Sequence, residues 1–347
     1  MRTTELTPLG NGRPDTDLIQ SEIDTLVAAG GGTLVLTGGV FLSTTLTLGS
    51  NLTLRVEIDA ELKAIGDIKA YTPSPDGRYH FIFADQADHL TIEGPGKIDG
   101  SGYEFWDIPA REFLARGGSP EELTFPGPYW EDDSPFWRER TPRVQPMVEL
   151  RRCTNLTVSG VTIANSPGWT LHPWCCDNVR IYDVTISNEM YGPNTDGIDI
   201  TGCRNVMVRG CDITTGDDAI ILKAHADARS CEHITVSDCI LRTHCAALGI
   251  GAETVHAIRE VTFTNCVVPK ALRIVQIELW SAGLVENVTI SNVTGANMTD
   301  IPLERPIYID VQQHHREDEA LGVVRNILIQ NLTALTRGRI VLTAQDG

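Results

Sequence analysis

The chain has 347 residues, 41% hydrophobic and 21% charged, a balance that suits a folded globular protein and excludes a disordered or fibrous one. With 46 Asp and Glu against 28 Lys and Arg, the formal net charge is −18, so neither nucleic acid nor an anionic membrane surface is expected as a partner. No apolar run approaches the ~18 residues of a membrane span.

The chain begins MRTTELTPLGNGRPD, which lacks the apolar centre of a secretory leader. A cytoplasmic location is the expectation for the sequence as it stands, and secretion if a leader had been removed. The segment DLIQSEIDTLVAAGGG then places Ile19, Ile23, Leu26 and Val27 on one helical face and ends in glycines. This predicts a short helix over 15–30.

From Asn51 onward a phrase recurs: a polar residue, often Asn, followed by alternating apolar positions. It reads SNLTL at Asn51, DHLTI at His89, TNLTV at Asn155, DNVRI at Asn178, RNVMV at Asn205, EHITV at His233, REVTF at Glu260, ENVTI at Asn287 and RNILI at Asn326. The spacings between the six central starts are 23, 27, 28, 27 and 27 residues. One residue after each start stands Leu156, Val179, Val206, Ile234, Val261 or Val288, and two further on another apolar residue. That is the period of a β-strand. A propeller blade needs four strands and ~40 residues, and a sandwich has no reason to repeat its registers. The predicted fold is therefore all-β, one parallel β-helix domain spanning 1–347, with the 15–30 helix capping its open end. Asn suits the phrase start because it tolerates the left-handed conformation.

Between His89 and Asn155 lie 66 residues, enough for a coil plus an excursion. The stretch 104–140, with Trp106, Tyr129, Trp130 and Trp137, is predicted to be a long loop folded over one face, where the active cleft is expected.

The repeat accounts for most of the nine cysteines. Cys153, Cys176, Cys203 and Cys231 fall two residues before a phrase start, where later coils carry Ile258, Val285 and Val324. Cys211, Cys239 and Cys266 fall six after a start, where other coils carry Val161, Val184, Val293 and Leu332. These seven read as small buried hydrophobes, with no CxxC pair to suggest zinc. Cys175 and Cys245 stand outside both registers.

Polar residues break the pattern in consecutive coils: NTDGIDI from Asn194, TGDDAIILK from Thr215, RTHCAALGIGAE from Arg242 and ALRIVQIELW from Ala271. Asp196 and Asp218 are 22 residues apart, about one coil, so Asp196, Asp217 and Asp218 should cluster on one outer face. Close carboxylates raise at least one pKa and so prepare one acid and one base, as glycoside hydrolysis requires. Spacing alone leaves a calcium site or a solvated acidic turn open.

These phrases resemble family-28 glycoside hydrolases, the polygalacturonase family of right-handed parallel β-helices. The likeness covers most of the chain: GGGTLVLTGGVFLSTTLTLGSNLTL, GPGKIDGSGYEFWD, NSPGWTLHPWCCDNV and, most specifically, NTDGID and GDD. It implies an inverting hydrolase without metal or cofactor, with Asp196, Asp217 and Asp218 catalytic. Asp218 or Asp196 would be the acid, with Asp218 favoured, and the others would hold and deprotonate the attacking water.

Two departures stand out. The family's GHG phrase is replaced by HCAALGIG, which puts the family histidine at Cys245 or Ala246 and displaces His244. The family's RIK phrase reads Arg273-Ile274-Val275, without the lysine that binds a uronate carboxylate. Asn194, Lys223, His244, Arg273, Glu278 and Trp280 are expected to bind substrate. Asp199, His225, Trp169, His172 and Trp174 are weaker candidates, and His314 and His315 read as loop. The expectation is exo cleavage of a pectin-type oligosaccharide, galacturonan- or rhamnogalacturonan-derived, with atypical subsites. A calcium-dependent β-helical lyase and a non-catalytic carbohydrate-binding solenoid are the rivals.

Overall fold

The computed structural model describes residues 2–107, 117, 138–139, 142–190, 192–297, 304–313 and 320–345. Three faces of short parallel strands wind into a right-handed β-helix. On the first face the phrase strands stack coil on coil, with Leu156 beside Val179, then Val206, Ile234, Val261 and Val288 in unbroken register. Val179 and Ile181 are buried while Asn178 and Arg180, which alternate with them, are exposed, as period-2 alternation requires.

The corners are made by left-handed residues. Asn155, Asn178, Asn205 and Asn287 have φ between 54° and 57°. Their amides form a ladder, with Asn178 Nδ2 donating to Asn155 Oδ1 and Asn205 Nδ2 to Asn178 Oδ1, both at 3.2 Å. A second left-handed corner, not foreseen from the sequence, lies five residues after each phrase start from Asn155 onward, at Gly160, Asp183, Gly210, Asp238, Asn265, Asn292 and Asn331. Gly, Asn and Asp are the residues that accept this conformation at least cost, so the composition of the second corner was itself the signal.

The helix is Thr16–Ala28, a little shorter than the predicted 15–30. Ile19, Ile23 and Leu26 are fully buried against the first coils and Val27 packs beside them. Each buried aliphatic side chain contributes ~2 kcal/mol relative to exposure. Asp15, just before the helix, fixes its entry by accepting from Leu9 N at 2.6 Å and Leu42 N at 2.9 Å. Beyond the helix, Gly31 has φ of 118°, and a Cβ there would meet the Asn51 carbonyl oxygen at 2.4 Å, so the chain turns into the first coil only with glycine. A strand ahead of the helix, Arg2–Leu6, joins the first face beside Gly32–Leu36.

All nine cysteines are free thiols, and the seven in the two ladders are buried, replacing aliphatic rungs of the core. Most of the predicted 104–140 loop, including Tyr129, Trp130 and Trp137, lies outside the described residues, as do His314 and His315. Its first aromatic is described. Trp106 is buried, and its Nε1 donates to the Pro167 carbonyl at 2.8 Å.

Among the described residues the third face carries ten strands, including Val148–Arg151, Leu171–Trp174, Ile198–Thr201, Ile220–Ala224, Ala246–Thr254 and Arg273–Leu279. Here alternation fails: every residue of Leu171–Trp174, Ile198–Thr201 and Ile220–Ala224 is buried, outward-facing ones included. The outward side of these middle coils is therefore covered by other groups, and many of its own side chains are polar.

Candidate active site

The strands of this face set the site by register. Ile198 pairs with Ile220, Ile220 with Leu248 and Leu248 with Val275. Two residues earlier in each coil stand Asp196, Asp218, Ala246 and Arg273, stacked in that order. Backbone bonds carry the stacking across the turns, from Gly197 N to Asp218 O and from Ala219 N to Ala246 O, both 2.8 Å. The predicted trio thus occupies adjacent coils, with Asp217 beside Asp218.

The three carboxylates differ in environment. Asp196 is 3% exposed and Asp218 8%, whereas Asp217 is half-buried. Burial, with the negative charges of Asp199 and Asp217 adding to it, pushes Asp196 well above the usual carboxylate range. Burial and the charge of Asp217 push Asp218 up to about 7. Asp218 Oδ1 accepts from Ala246 N at 3.0 Å. Asp217 accepts from Asp218 N at 2.9 Å and from Asn194 Nδ2 at 3.3 Å, so Asn194 joins the site by holding a carboxylate.

Lys223, expected to line the cleft, is instead 4% exposed and faces the carboxylates from behind. Its Nζ lies 3.2 Å from Asp199, 3.7 Å from Asp196 and 3.7 Å from Glu253, and 3.8 Å above the Trp169 ring. Burial alone would discharge it, but Asp199, Asp196 and Glu253 outweigh that and hold it protonated. Asp199 is completely buried and pushed up by burial against the pull of Lys223. Beside Lys223, burial lowers His225 to about 4, leaving it neutral. His172 is also drawn in, bonded to Glu149 at 2.6 Å and Thr201 at 3.0 Å.

The displaced histidine is not on the cleft surface. His244 is 0% exposed, and the half-buried Cys245 lies beside the aspartates. Cys245 Sγ and one oxygen each of Asp217 and Asp218 lie within 4.8 Å of one another. That trio is the one grouping of metal-type donors among the described residues, and a thiol is poorly matched to calcium, which takes oxygen ligands.

The lysine missing from RIK is explained by facing. Val275 is fully buried in the core row between Leu248 and Ile307, and the next outward residue is Gln276. Arg273 remains, with its guanidinium over the Tyr308 ring at 4.4 Å and bonded to Gln276 Oε1 and, at 3.3 Å, Glu278 Oε2. Trp280 Nε1 donates to Glu278 Oε1 at 3.1 Å. Arg273, Glu278 and Trp280 therefore form one unit, one coil beyond Cys245.

The sequence matches glycosyl hydrolases family 28 over residues 31–341. The chain belongs to this family. It is 26% identical over 328 residues to an endo-polygalacturonase of Pectobacterium carotovorum subsp. carotovorum, covering 88% of this chain and 74% of that one. An exopolygalacturonase from Thermotoga maritima superposes with a TM-score of 0.75 at 25% identity, over 95% of this chain and 81% of that one. The polygalacturonase from Erwinia carotovora ssp. carotovora superposes at 0.73 with 20% identity, over 99% and 96%. This family 28 chain is accordingly a glycoside hydrolase, which removes the lyase and the purely binding solenoid as readings. No helix among the described residues is long and apolar enough to cross a membrane.

Two supports of the family 28 site were not foreseen. Arg143, 7% exposed, donates to the Pro167 and Pro193 carbonyls at 3.0 and 2.9 Å and to Asn194 Oδ1 at 3.3 Å, so it braces the loop that carries Asn194. Asn188 ties three coils together through Ser166 N at 2.9 Å, Thr170 Oγ1 at 2.8 Å and Thr215 Oγ1 at 3.1 Å. Asn188 closes a phrase strand's coil, and a lone buried Asn at such a corner was the available signal. Arg143 belongs to no motif.

Proposed function

We propose that the chain cleaves glycosidic bonds of a pectin-type oligosaccharide, galacturonan- or rhamnogalacturonan-derived, by inversion, with Asp218 as the general acid. The observation that carries this is the unequal pair Asp217 and Asp218. Asp218 is buried and raised to about 7, so it retains a proton near neutrality. Asp217 is more open and accepts from Asn194 Nδ2 and Asp218 N. Such a split assigns acid and base. Asp218 protonates the leaving oxygen. Asp196 and Asp217 hold a water against the anomeric carbon, and Asp217, the more open of the two, takes its proton as the new C–O bond forms and the bond to the leaving oxygen breaks, so the product keeps one inverted centre.

Substrate recognition on this reading is sparse in cations. Lys223 is committed to Asp199 and Asp196, and Arg273 is already balanced by Glu278. With a net charge of −18, the surface favours a short or weakly charged substrate over a long polyanion. The likeness to the Thermotoga exopolygalacturonase supports end-wise cleavage.

The test is a panel of oligogalacturonides and rhamnogalacturonan oligosaccharides, with products resolved by size and the first-formed anomer followed by proton NMR. Inverted monomer or dimer released from one chain end is the expected result. Retained configuration, or random mid-chain cuts, overturns inversion or end-wise action respectively.

A further inference from the structure

The outer side of the third face carries a second polar cluster, on the coils that precede the aspartates. Val148–Arg151 pairs with Leu171–Trp174, and that strand with Ile198–Thr201, so Arg151 lies two coils before the strand that Asp196 leads into. Val148 and Leu150 point into the core, which turns Glu149 and Arg151 outward along the line of the cleft. An outward row on an open cleft floor should meet solvent. Glu149 is instead 1% exposed, and Trp174, which pairs with Arg151 on the next coil, is buried as well.

Among the described residues, a turn over 74–78 lies against this point. Ser74 N donates to Arg78 O and Gly77 N to Ser74 O, both at 2.8 Å. Inside the turn Asp76 Oδ1 accepts from Arg78 N at 3.1 Å, and Asp76 Oδ2 accepts from Arg151 Nη1 at 2.6 Å. The buried His80 follows, with Nδ1 donating to the Pro146 carbonyl at 2.9 Å and its ring stacked on Phe83 at 5.3 Å. The Arg151 guanidinium also lies over the Trp174 ring at 4.4 Å, with Nε 3.8 Å from Glu149 Oε1. The turn is thus tied across the outer side of the third face by an ion pair and a ring stack. Arg151 is braced by two carboxylates and a ring, which suits a barrier better than a cation reaching for a uronate.

We propose that this turn, locked by Asp76 and Arg151, is the end wall of the cleft and fixes the length of the sugar product released. The proposal rests on the reading of end-wise hydrolysis and is independent of which aspartate is the acid. Two coils at ~4.8 Å each leave ~10 Å between the coil of Arg151 and that of Asp196, room for about two pyranose rings. A sugar chain laid along the face stops at the wall, so the bond presented to the aspartates is one or two units from its end.

The experiment compares the parent with Asp76→Ala and with Arg151→Met, which keeps an unbranched stem against Trp174. The substrates are the oligogalacturonides and rhamnogalacturonan oligosaccharides of the panel, at defined length and labelled at the reducing end. First-formed products are resolved by size, and thermal melts establish that each variant is folded. The parent is expected to release monomer and dimer, and both variants to raise the share of trimer and longer products about tenfold. Either substitution breaks the pair, so one folded variant suffices to decide. Monomer and dimer alone from a folded variant refute the wall while end-wise hydrolysis stands. Mid-chain cutting by the parent refutes end-wise hydrolysis and the wall with it.

Discussion

Replacing Asp218 by Asn removes a proton donor and, at the same time, a buried charge. The side chain is 8% exposed, and its pKa of about 7 stands about 3 units above that of a solvated aspartate. The folded state therefore binds a proton at Asp218 that the unfolded chain has released between pH ~4 and ~7. Stability of the parent falls as pH rises through that window and the loss is complete above it, with a ceiling of ~4 kcal/mol from this one group. Asn is nearly isosteric, keeps an oxygen to accept from Ala246 N, and does not titrate. Asp218→Asn should melt close to the parent at pH 4.5 and several degrees above it at pH 8, while kcat falls about 10²–10⁴-fold. Thermal melts at the two pH values, with turnover measured alongside, check this. A stability difference that is the same at both pH values means that burial does not raise this carboxyl, and parent-like turnover means that another group is the acid.

Three further outcomes are expected. Lys223→Met leaves Asp196 and Asp199 buried without their cation and should destabilise the fold by ~3–5 kcal/mol; adding Asp199→Asn should recover part of that, and denaturant titration of the single and double variants measures the coupling. Arg273→Lys loses the fork that reaches Gln276 and Glu278 and should raise KM about tenfold on a uronate-bearing substrate with little change on a neutral one, which steady-state kinetics on the two substrates distinguishes. Cys203→Val places at this rung the kind of side chain that later coils carry at Ile258 and Val285 and should cost less than ~1.5 kcal/mol, whereas Cys203→Asp should abolish the cooperative melt.

Much of the architecture was legible because a solenoid repeats its constraints. Asn155, Asn178 and Asn205 recur since each coil turns through the same left-handed corner, and Leu156, Val179 and Val206 recur since each rung rests on the next. The same logic recovered the cysteine ladders and brought Asp196 beside Asp218. It faltered where coils differ in length. Asp196 and Asp218 are 22 residues apart, but Ala246 follows Asp218 by 28 and Arg273 follows Ala246 by 27. In the longer turn, counting along the chain leaves His244, Cys245 and Ala246 as equal claimants. Which of them faces the aspartates depends on backbone bonds to Thr243 within the turn and to Asp218 and Arg273 of the coils on either side.

The sequence by itself determined the solenoid, its capping helix, its cores of stacked aliphatics and thiols, and the three catalytic-type carboxylates, because all of these follow from local periodicity and short motifs. The tertiary structure decided how charge is shared among them. Lys223 reads as a cleft residue until the coils are stacked; it then lies between Asp196, Asp199 and Glu253, three groups separated from it by 24 to 30 residues of sequence. Arg143 reaches Asn194 from 51 residues away. Val275, at the place of the RIK lysine, is turned into the core, and Gln276 is the outward residue beside it. Burial and electrostatic balance depend on neighbours one coil distant, and a linear pattern carries the spacing of those neighbours but not which way each side chain points.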